Sequence, residues 1–483
     1  MIAFRHGVAS ADPLPDGVLL WTRCSTDAQE PLAVGWWVSA SPDGSKVVAR
    51  GITEASADRD HTVHVDVGGL EPATTYWYGF TAGDARSAVG RARTTPAADD
   101  PAQHLRVGLT SCASWPCGYF NAYANLARRD LDLVVHVGDY MYENDGVSLT
   151  TKAVRAHRPS RALQTLDDYR RRHAQYRTDP DLQALHARHA MVAAWDDHDI
   201  VGGAWRDGAT AHRPGLDGDW AERRAVAVQA YLEWVPARTG GAGSGSVHRR
   251  LGLGPLADVV MLDTRLIGRD RPAADGRAVL HLGYGERALL GEDQWRWLEG
   301  QLAAAAKPKW VLLGNQVVLA PVRALGLGGG RGINPSQWDG YPAERERLYR
   351  LLRSTGWSTD VAVLSGDLHS SWASDLPVGA EFVTPSVTTD AFAQTVLPVE
   401  SAARAAAWWI RTQNPHVRMV DLRHHGYVVV DVTPDRLQAD WWHVDTIARR
   451  DPSERWAGGW RLTHGRLGLE PAASPVAEAI RRR

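Results

Sequence analysis

Five short polar clusters follow apolar runs in the middle of this 483-residue chain. They are Ser111–Ser114 (SCAS), Gly138–Glu143 (GDYMYE), Trp195–Asp199 (WDDHD), Gly314–Gln316 (GNQ) and Ser365–Ser371 (SGDLHSS). Together they offer thiol, carboxylate, phenol, amide and imidazole donors. WDDHD sets three carboxylates around His198, directly after the apolar MVAA. Buried carboxylates repel one another, and a cation relieves that repulsion best. Asp367 and His369 are two residues apart, so extended backbone points both side chains the same way, as chelation requires. The shared reading is a metal centre. Each member alone has a plainer one. A Gly-Asp such as 138–139 is often only a turn or helix cap. Cys112 is as readily a small buried side chain as a ligand, and a disulfide with Cys117 stays open. An isolated Asn315 more often satisfies backbone groups.

The elements that must position these clusters are legible too. Beyond residue 104, apolar runs at 105–111, 131–139, 191–197, 256–265, 309–316 and 360–369 alternate with helix-like stretches at 119–129, 165–188, 219–234, 292–305 and 342–354. That alternation predicts an α/β fold with helices packed on a sheet. Loops at the C-terminal ends of such strands build the site, and the polar clusters stand there. Residues 426–442 predict an antiparallel hairpin. The first ~95 residues differ. Runs at 18–23, 33–40, 61–67 and 75–82 are β-branched and aromatic, separated by Pro, Gly and Asp, and predict a β-sandwich. With TTPAADDPAQ (94–103) as linker, the expected division is a sandwich over 1–97, an α/β domain over 98–450 and a C-terminal extension over 451–483. The Gly-rich stretches 239–246 and 325–332 predict loops.

Composition narrows the function. There are 54 Lys+Arg against 56 Asp+Glu, a formal net charge of -2. That balance argues against a polybasic nucleic-acid binder. Three cysteines rule out a disulfide-built scaffold. No apolar run approaches the ~18 residues of a membrane span, and MIAFRHGVAS shows no signal-peptide pattern. Neither oligomeric state nor location follows from the sequence.

Taken in order, the clusters resemble the calcineurin-like metallophosphatase superfamily and, within it, the PhoD-like (alkaline phosphatase D) family. HGVASADPLPDGVLLWTR (6–23) resembles the opening of that family's N-terminal sandwich. SCASW, GDYMYE, WDDHDI and SGDLHSS follow in family order, with LDTR (262–265) and LGEDQWRWL (290–298) between them, so the resemblance covers nearly the whole chain. It implies an Ig/fibronectin-III-like all-β sandwich followed by a metallophosphatase two-sheet α/β sandwich. The implied activity is hydrolysis of phosphate mono- or diesters by a metal-bound hydroxide at a two-metal site.

Residue by residue, the resemblance implies that Asp139 bridges the metals and that Cys112, Tyr142 and His369 complete a Fe³⁺ site with it. Asp197, Asn315 and Asp367 would join Asp139 in an oxygen-only site. The family favours Ca²⁺ there, and Mg²⁺ or Mn²⁺ would also suit such donors. His198 stands at the family's catalytic position, for leaving-group protonation, with Asp199 to orient it. Arg265 either binds a phosphate oxygen or pairs with Asp263. The implied substrate is a phosphate ester: a small molecule, a phosphodiester polymer or a phospholipid, without sequence-specific nucleic-acid binding. Family members are often exported by the twin-arginine route.

The pattern departs at one place. Family members often carry an Asn pair after a WDDHE-like motif; here Ile200-Val201-Gly202-Gly203 stands instead, and no third metal is expected. Loops 143–160 and 324–340 are expected to cover the site, with Arg155, His157, Arg158 and Arg161 available to an anionic substrate. The rival reading is a glycan- or anion-binding protein on a degenerate metallophosphatase fold. It rests on Trp36, Trp37 and Trp77 among 21 tryptophans; core filling is the plainer account of those rings.

Overall fold

The computed structural model describes residues 2–100, 103–145, 153–239, 245–272, 287–304, 306–323, 334–391, 394 and 399–477. Strands Leu105–Thr110 and Leu133–His136 are buried along their whole length. Apolar strands of this kind suit a parallel arrangement covered on both faces. They pair in parallel, with Leu133 opposite Val107 and His136 opposite Thr110, and Met191–Ala193 continues on the far side of Leu133–His136. A second parallel set consists of Ala257–Met261, Trp310–Gly314 and Val361–Ser365.

These sets form the centres of two sheets, of ten and seven strands. Leu109, Val135 and Val430 of the larger sheet share one core with Val259, Leu312, Leu364 and Phe382 of the smaller. The other face of the smaller sheet is covered by helices Glu292–Leu302 and Pro342–Ser354, through Trp295, Leu298, Leu348 and Leu352. The expected hairpin is Gly426–Val432 with Arg436–Val444, and its first strand lies antiparallel to Leu105–Thr110.

The larger sheet runs past both expected boundaries. Val8–Leu14 lies parallel to Met191–Ala193, with Ala11 opposite Met191, and brings Gly17–Arg23 and Thr62–Val67 into the sheet. A separate sheet, built on Leu32–Ser39, Val47–Ala55 and Thr75–Ala82, closes the N-terminal sandwich over Val18, Leu20, Val34, Val38, Val63, Tyr78 and Phe80. The sandwich therefore shares one of its layers with the α/β region. At the other end, Glu454–Thr463 pairs along Arg436–Val444 and belongs to the same sheet.

Sequence pattern hid two of these strands, Val8–Leu14 and Glu454–Thr463. Val8–Leu14 reads VASADPL, and its Asp12 is tolerated inside because Arg249 pairs with it at 2.7 Å and the Arg238 N–H donates to it. Helix Glu400–Gln413 and strands Ser371–Leu376, Gly379–Val383 and Val417–Asp421 were likewise not predicted. Of the Gly-rich stretches, 240–244 and 325–332 lie outside the described residues. Cys24, Cys112 and Cys117 are free thiols, which sets the disulfide reading aside. No helix among the described residues is long and apolar enough to cross a membrane.

Helix Leu166–Tyr176 buries His173 in stacked orientation against Trp234, 6.3 Å between ring centres. Neither ring nitrogen finds a hydrogen-bond partner among the described residues. Burial, aided by Arg177 and Arg172, lowers its pKa to about 3. The unfolded chain takes up a proton there below pH ~6.5, so the contribution to stability is full above that pH and is lost as pH falls toward 3. His173→Phe should flatten this limb by about 1.4 kcal/mol per pH unit in urea unfolding at stepped pH.

Candidate metal centre

The polar clusters leave the C-terminal ends of the two parallel sets, so a single edge of the sandwich collects them. Their loops come together only with unusual backbone. Gly138 has φ +108°, and a Cβ there would lie 2.3 Å from the Cβ of Asp196. The GDYMYE and WDDHD loops touch because residue 138 has no side chain. Among the described residues, eight other than glycine have positive φ, and four of these are Cys112, Asp139, Asp367 and His369. Left-handed backbone costs such residues on the order of 1–2 kcal/mol each, and strain of this kind gathers at functional sites.

Donor atoms of Cys112, Asp139 and His369 lie within 4.8 Å of one another. The Tyr142 hydroxyl donates to Asp139 Oδ2 at 2.7 Å and lies 3.3 Å from His369 Nε2. His369 is oriented through Nδ1, 3.1 Å from the Asp390 carbonyl. Asp139, Asp197 and His198 form a second group of the same spacing, and Asp196, Asp197 and Asp367 a third. Asp139 and Asp197 each belong to two groups, so the three are continuous.

Asp139, Asp196 and Asp197 are buried, and Asp367 nearly so. Arg265 faces them, hydrogen-bonded to Asp196 and Asp367 and 3.2 Å from Asp197. Burial pushes the carboxyls of Asp139 and Asp196 well above the usual carboxylate range. Burial acts on Asp197 too, but Arg265, His198 and the Gly203 N–H outweigh it and hold that carboxyl low. Burial, then Asp139, pushes the Cys112 thiol and the Tyr142 phenol up. One guanidinium cannot balance four carboxylates, and a thiol and phenol in these surroundings ionise only beside a cation. The donors therefore fit multivalent metal ions: sulfur, imidazole, phenol and carboxylate on the Cys112 side, carboxylates alone on the Asp367 side.

Several expected roles are placed differently. Arg265 holds three carboxylates, so its guanidinium neither stands open to phosphate nor pairs with Asp263. Asp263 instead accepts the backbone N–H groups of Arg265 and Leu266 and the Trp195 Nε1–H. Asp199 does not orient His198; its oxygens accept backbone N–H groups of Met141 and Asp196, at 3.1 and 2.9 Å. Glu143 takes that place. Its Oε2 is 2.8 Å from His198 Nδ1, and its Oε1 accepts the Gly202 N–H at 2.8 Å. Burial alone would lower the His198 pKa; Glu143, Asp197 and Asp139 outweigh it and raise the pKa well above the usual range.

Asn315 directly follows the strand Trp310–Gly314, with its amide turned inward. Its Oδ1 accepts from Trp338 Nε1 at 3.1 Å and its Nδ2 donates to Ser365 Oγ at 3.0 Å. At the Gly pair the backbone does the work of side chains. Gly202 N–H holds Glu143 and Gly203 N–H holds Asp197. A Cβ at 202 would lie 2.9 Å from His198 Cε1.

Three of the four loop residues are engaged elsewhere. Arg155 pairs with Asp179 at 2.5 Å over the Trp115 ring, Arg161 pairs with Asp168 at 2.7 Å, and His157 is buried against Tyr176. The expected covering segments fall partly outside the described residues, at 146–152 and 324–333. Sequence reasoning passed over Asp196, although it stands in WDDHD. It also missed Gln337, which donates to Asp367, and Thr389, which donates to the Tyr142 hydroxyl at 2.7 Å; no motif marks either.

Residues 107–441 match the family model of the PhoD-like phosphatases, and residues 2–96 match that of the PhoD-like N-terminal domain. The chain belongs to the PhoD-like phosphatase family. Alkaline phosphatase D of Bacillus subtilis (strain 168) is 36% identical over 467 residues, which cover 91% of this chain and 77% of that protein. A solved structure described as "Structure of PhoD" aligns with a TM-score of 0.86 at 33% identity, over 98% of this chain and 92% of that one. This PhoD-like phosphatase is a hydrolase of phosphate esters, and like its family it is metal-dependent.

Removing the central guanidinium should expose the charge imbalance. In metal-stripped protein, Arg265→Met is expected to lower stability by about 3–5 kcal/mol in urea unfolding, because it leaves buried carboxylates unpaired. An unchanged unfolding midpoint would show that the carboxylates are not held by Arg265.

Proposed function

We propose that this PhoD-like phosphatase hydrolyses phosphate mono- and diesters at a two-metal centre. Fe³⁺ would be held by Cys112, Asp139, Tyr142 and His369, and Ca²⁺ by Asp139, Asp197 and Asp367. Mg²⁺ or Mn²⁺ would also suit the oxygen-only set. The observation that carries this reading is the position of Asp139, common to a thiol–phenol–imidazole group and to a group with Asp197. Thiolate and phenolate are strong anionic donors that favour a trivalent ion, whereas carboxylates alone suit a hard divalent one. When bound, such ions would supply charge neutralisation for phosphoryl oxygens and a lowered pKa for the attacking water.

The chain's own residues do the rest. His198 has Nδ1 committed to Glu143, which leaves Nε2 to give a proton to the leaving oxygen. The Tyr142 ring lies 4.4 Å from the His198 ring, centre to centre, and limits its rotation. A cavity of about 670 Å³, lined by Trp205, Thr210, His212, Trp220, Arg271 and Ser336 among others, offers room for the alcohol part of the ester. Thr210 N–H bonds the carbonyl of Gly203, whose N–H holds Asp197, and Ser336 precedes Gln337, which donates to Asp367; each wall is thus linked to a site carboxylate through a neighbouring residue.

Metal analysis of the purified protein, with hydrolysis of a monoester and a diester before and after chelation, tests the proposal. Iron and calcium should both be present, and hydrolysis should stop on chelation and return with the ions. A metal-free chain that stays inactive after iron and calcium are restored would overturn it, and glycan binding that survives chelation would favour the rival reading. His198→Ala should lower kcat by about 10²–10⁴-fold with metal content unchanged; a wild-type rate would remove His198 from the mechanism. Cys112→Ser should lose iron and its ligand absorption, and full iron content in that variant would remove Cys112 from the site.

A further inference from the structure

Among the described residues, one more group of metal-type donors lies outside the centre. Asp421, His424 and His443 each place a donor atom within 4.8 Å of the other two. They come from both layers of the sandwich. Asp421 ends Val417–Asp421, the edge strand of the seven-stranded sheet. His443 lies in Arg436–Val444 of the ten-stranded sheet. His424 stands in the connection from Asp421 to Gly426–Val432.

The three side chains are held in place. Asp421 Oδ1 accepts the backbone N–H groups of Arg423 and His424 at 3.0 and 2.9 Å, which fixes the turn, while Oδ2 is 2.8 Å from His424 Nδ1. His443 is buried, and its Nε2 lies 3.1 Å from the Ser371 hydroxyl. Ser371 is itself opposite Asp421 in the strand register. A hydroxyl partner on one ring nitrogen orients the other toward a ligand position, as outer groups do in metal sites. The His424 and His443 rings are 5.0 Å apart between centres, with planes 15° from parallel. Two imidazoles on one tetrahedral ion, with metal–nitrogen bonds of about 2.0–2.1 Å, also have centres roughly 5 Å apart, and because these rings are stacked, one must turn about its Cβ–Cγ bond to aim its in-plane lone pair at the shared ion. An Asp–His pair that merely closed a turn would need no second imidazole from the opposite sheet.

We propose that Asp421, His424 and His443 form a site for a zinc-type divalent cation that clips the two sheets together beside the catalytic centre. Two nitrogens and one carboxylate suit Zn²⁺ or Co²⁺ better than Ca²⁺, and leave a fourth position for water. Asp421 and His424 are partly exposed and give the ion a way in. The ion would brace the start of Ser371–Leu376, the strand that directly follows the His369 loop. The site shares no ligand with the Cys112–Asp139–Asp197 centre.

The test is Zn²⁺ titration of the protein carrying its native catalytic metals, read by bound zinc and by thermal unfolding. Wild type should take up one further zinc per chain and unfold at a higher temperature. His424→Ala and Asp421→Asn, both at partly exposed positions, should lose the extra zinc and the thermal shift while keeping a wild-type circular dichroism spectrum. Cys112→Ser should retain the extra zinc. Co²⁺ should give tetrahedral visible absorption in wild type that is missing from His424→Ala. No further zinc in wild type, equal uptake in the Asp421 and His424 variants, or loss of the extra zinc in Cys112→Ser would each overturn the proposal.

Discussion

Negative charge gathered out of water, where two sheets end, is the constraint on which the rest of this structure depends. Asp139, Asp196, Asp197 and Asp367 arrive on three separate loops, and the last three converge on one guanidinium. An uncompensated buried charge costs several kcal/mol even after the protein relaxes. What surrounds these carboxylates is compensation. Arg265 touches three of them, the backbone N–H of His198 reaches Asp139 at 3.1 Å, Gly203 N–H reaches Asp197, and the Gln337 amide reaches Asp367. Arg265 offsets one of these charges, the amides orient the carboxylates without cancelling any, and a multivalent cation supplies the remaining balance.

The fold serves that requirement in two ways. The parallel sets at the middle of each sheet deliver their loops to one edge, and the shared core between the sheets keeps those edges in register. Rigid strands hold side-chain geometry better than loops alone would. The left-handed backbone at Cys112, Asp139, Asp367 and His369 then turns each donor inward two to four residues past the end of its strand. The antiparallel strands added at both flanks, including Val8–Leu14 and Glu454–Thr463, extend the same sheet, so the N-terminal sandwich is continuous with the site's foundation.

Small residues settle the proton chemistry. Glu143 reaches both His198 and the Gly202 amide because residue 202 has no Cβ to stand between the two side chains. Backbone N–H groups there do what longer polar side chains would otherwise do, and they cannot swing away. The seam that carries the centre also carries the Asp421–His424–His443 group, where Ser371 touches one sheet's edge strand and a histidine of the other.

The sequence by itself determined the α/β class, the central parallel strand sets and most helices beyond residue 104, the β-rich N-terminal region, and which side chains are candidate donors, among them Cys112, Asp139, Tyr142, Asp197, Asp367 and His369. It could do so because apolar runs, turn residues and motif letters are local properties. Tertiary structure alone decided the partners. Asp199 adjoins His198 in the chain and Glu143 stands 55 residues before it, yet Glu143 holds the ring while Asp199 bridges two amides. Arg265 was legible as a cation, but its three carboxylates lie on other loops. Asn315 carries a ligand's chemistry, yet Trp338, 23 residues on, claims its oxygen. Strand Val8–Leu14 was hidden by Asp12, whose charge is met by Arg249 from far along the chain. Spacing along the chain reports which groups are present; which of them meet is fixed by sheet order and buried charge, and both are non-local.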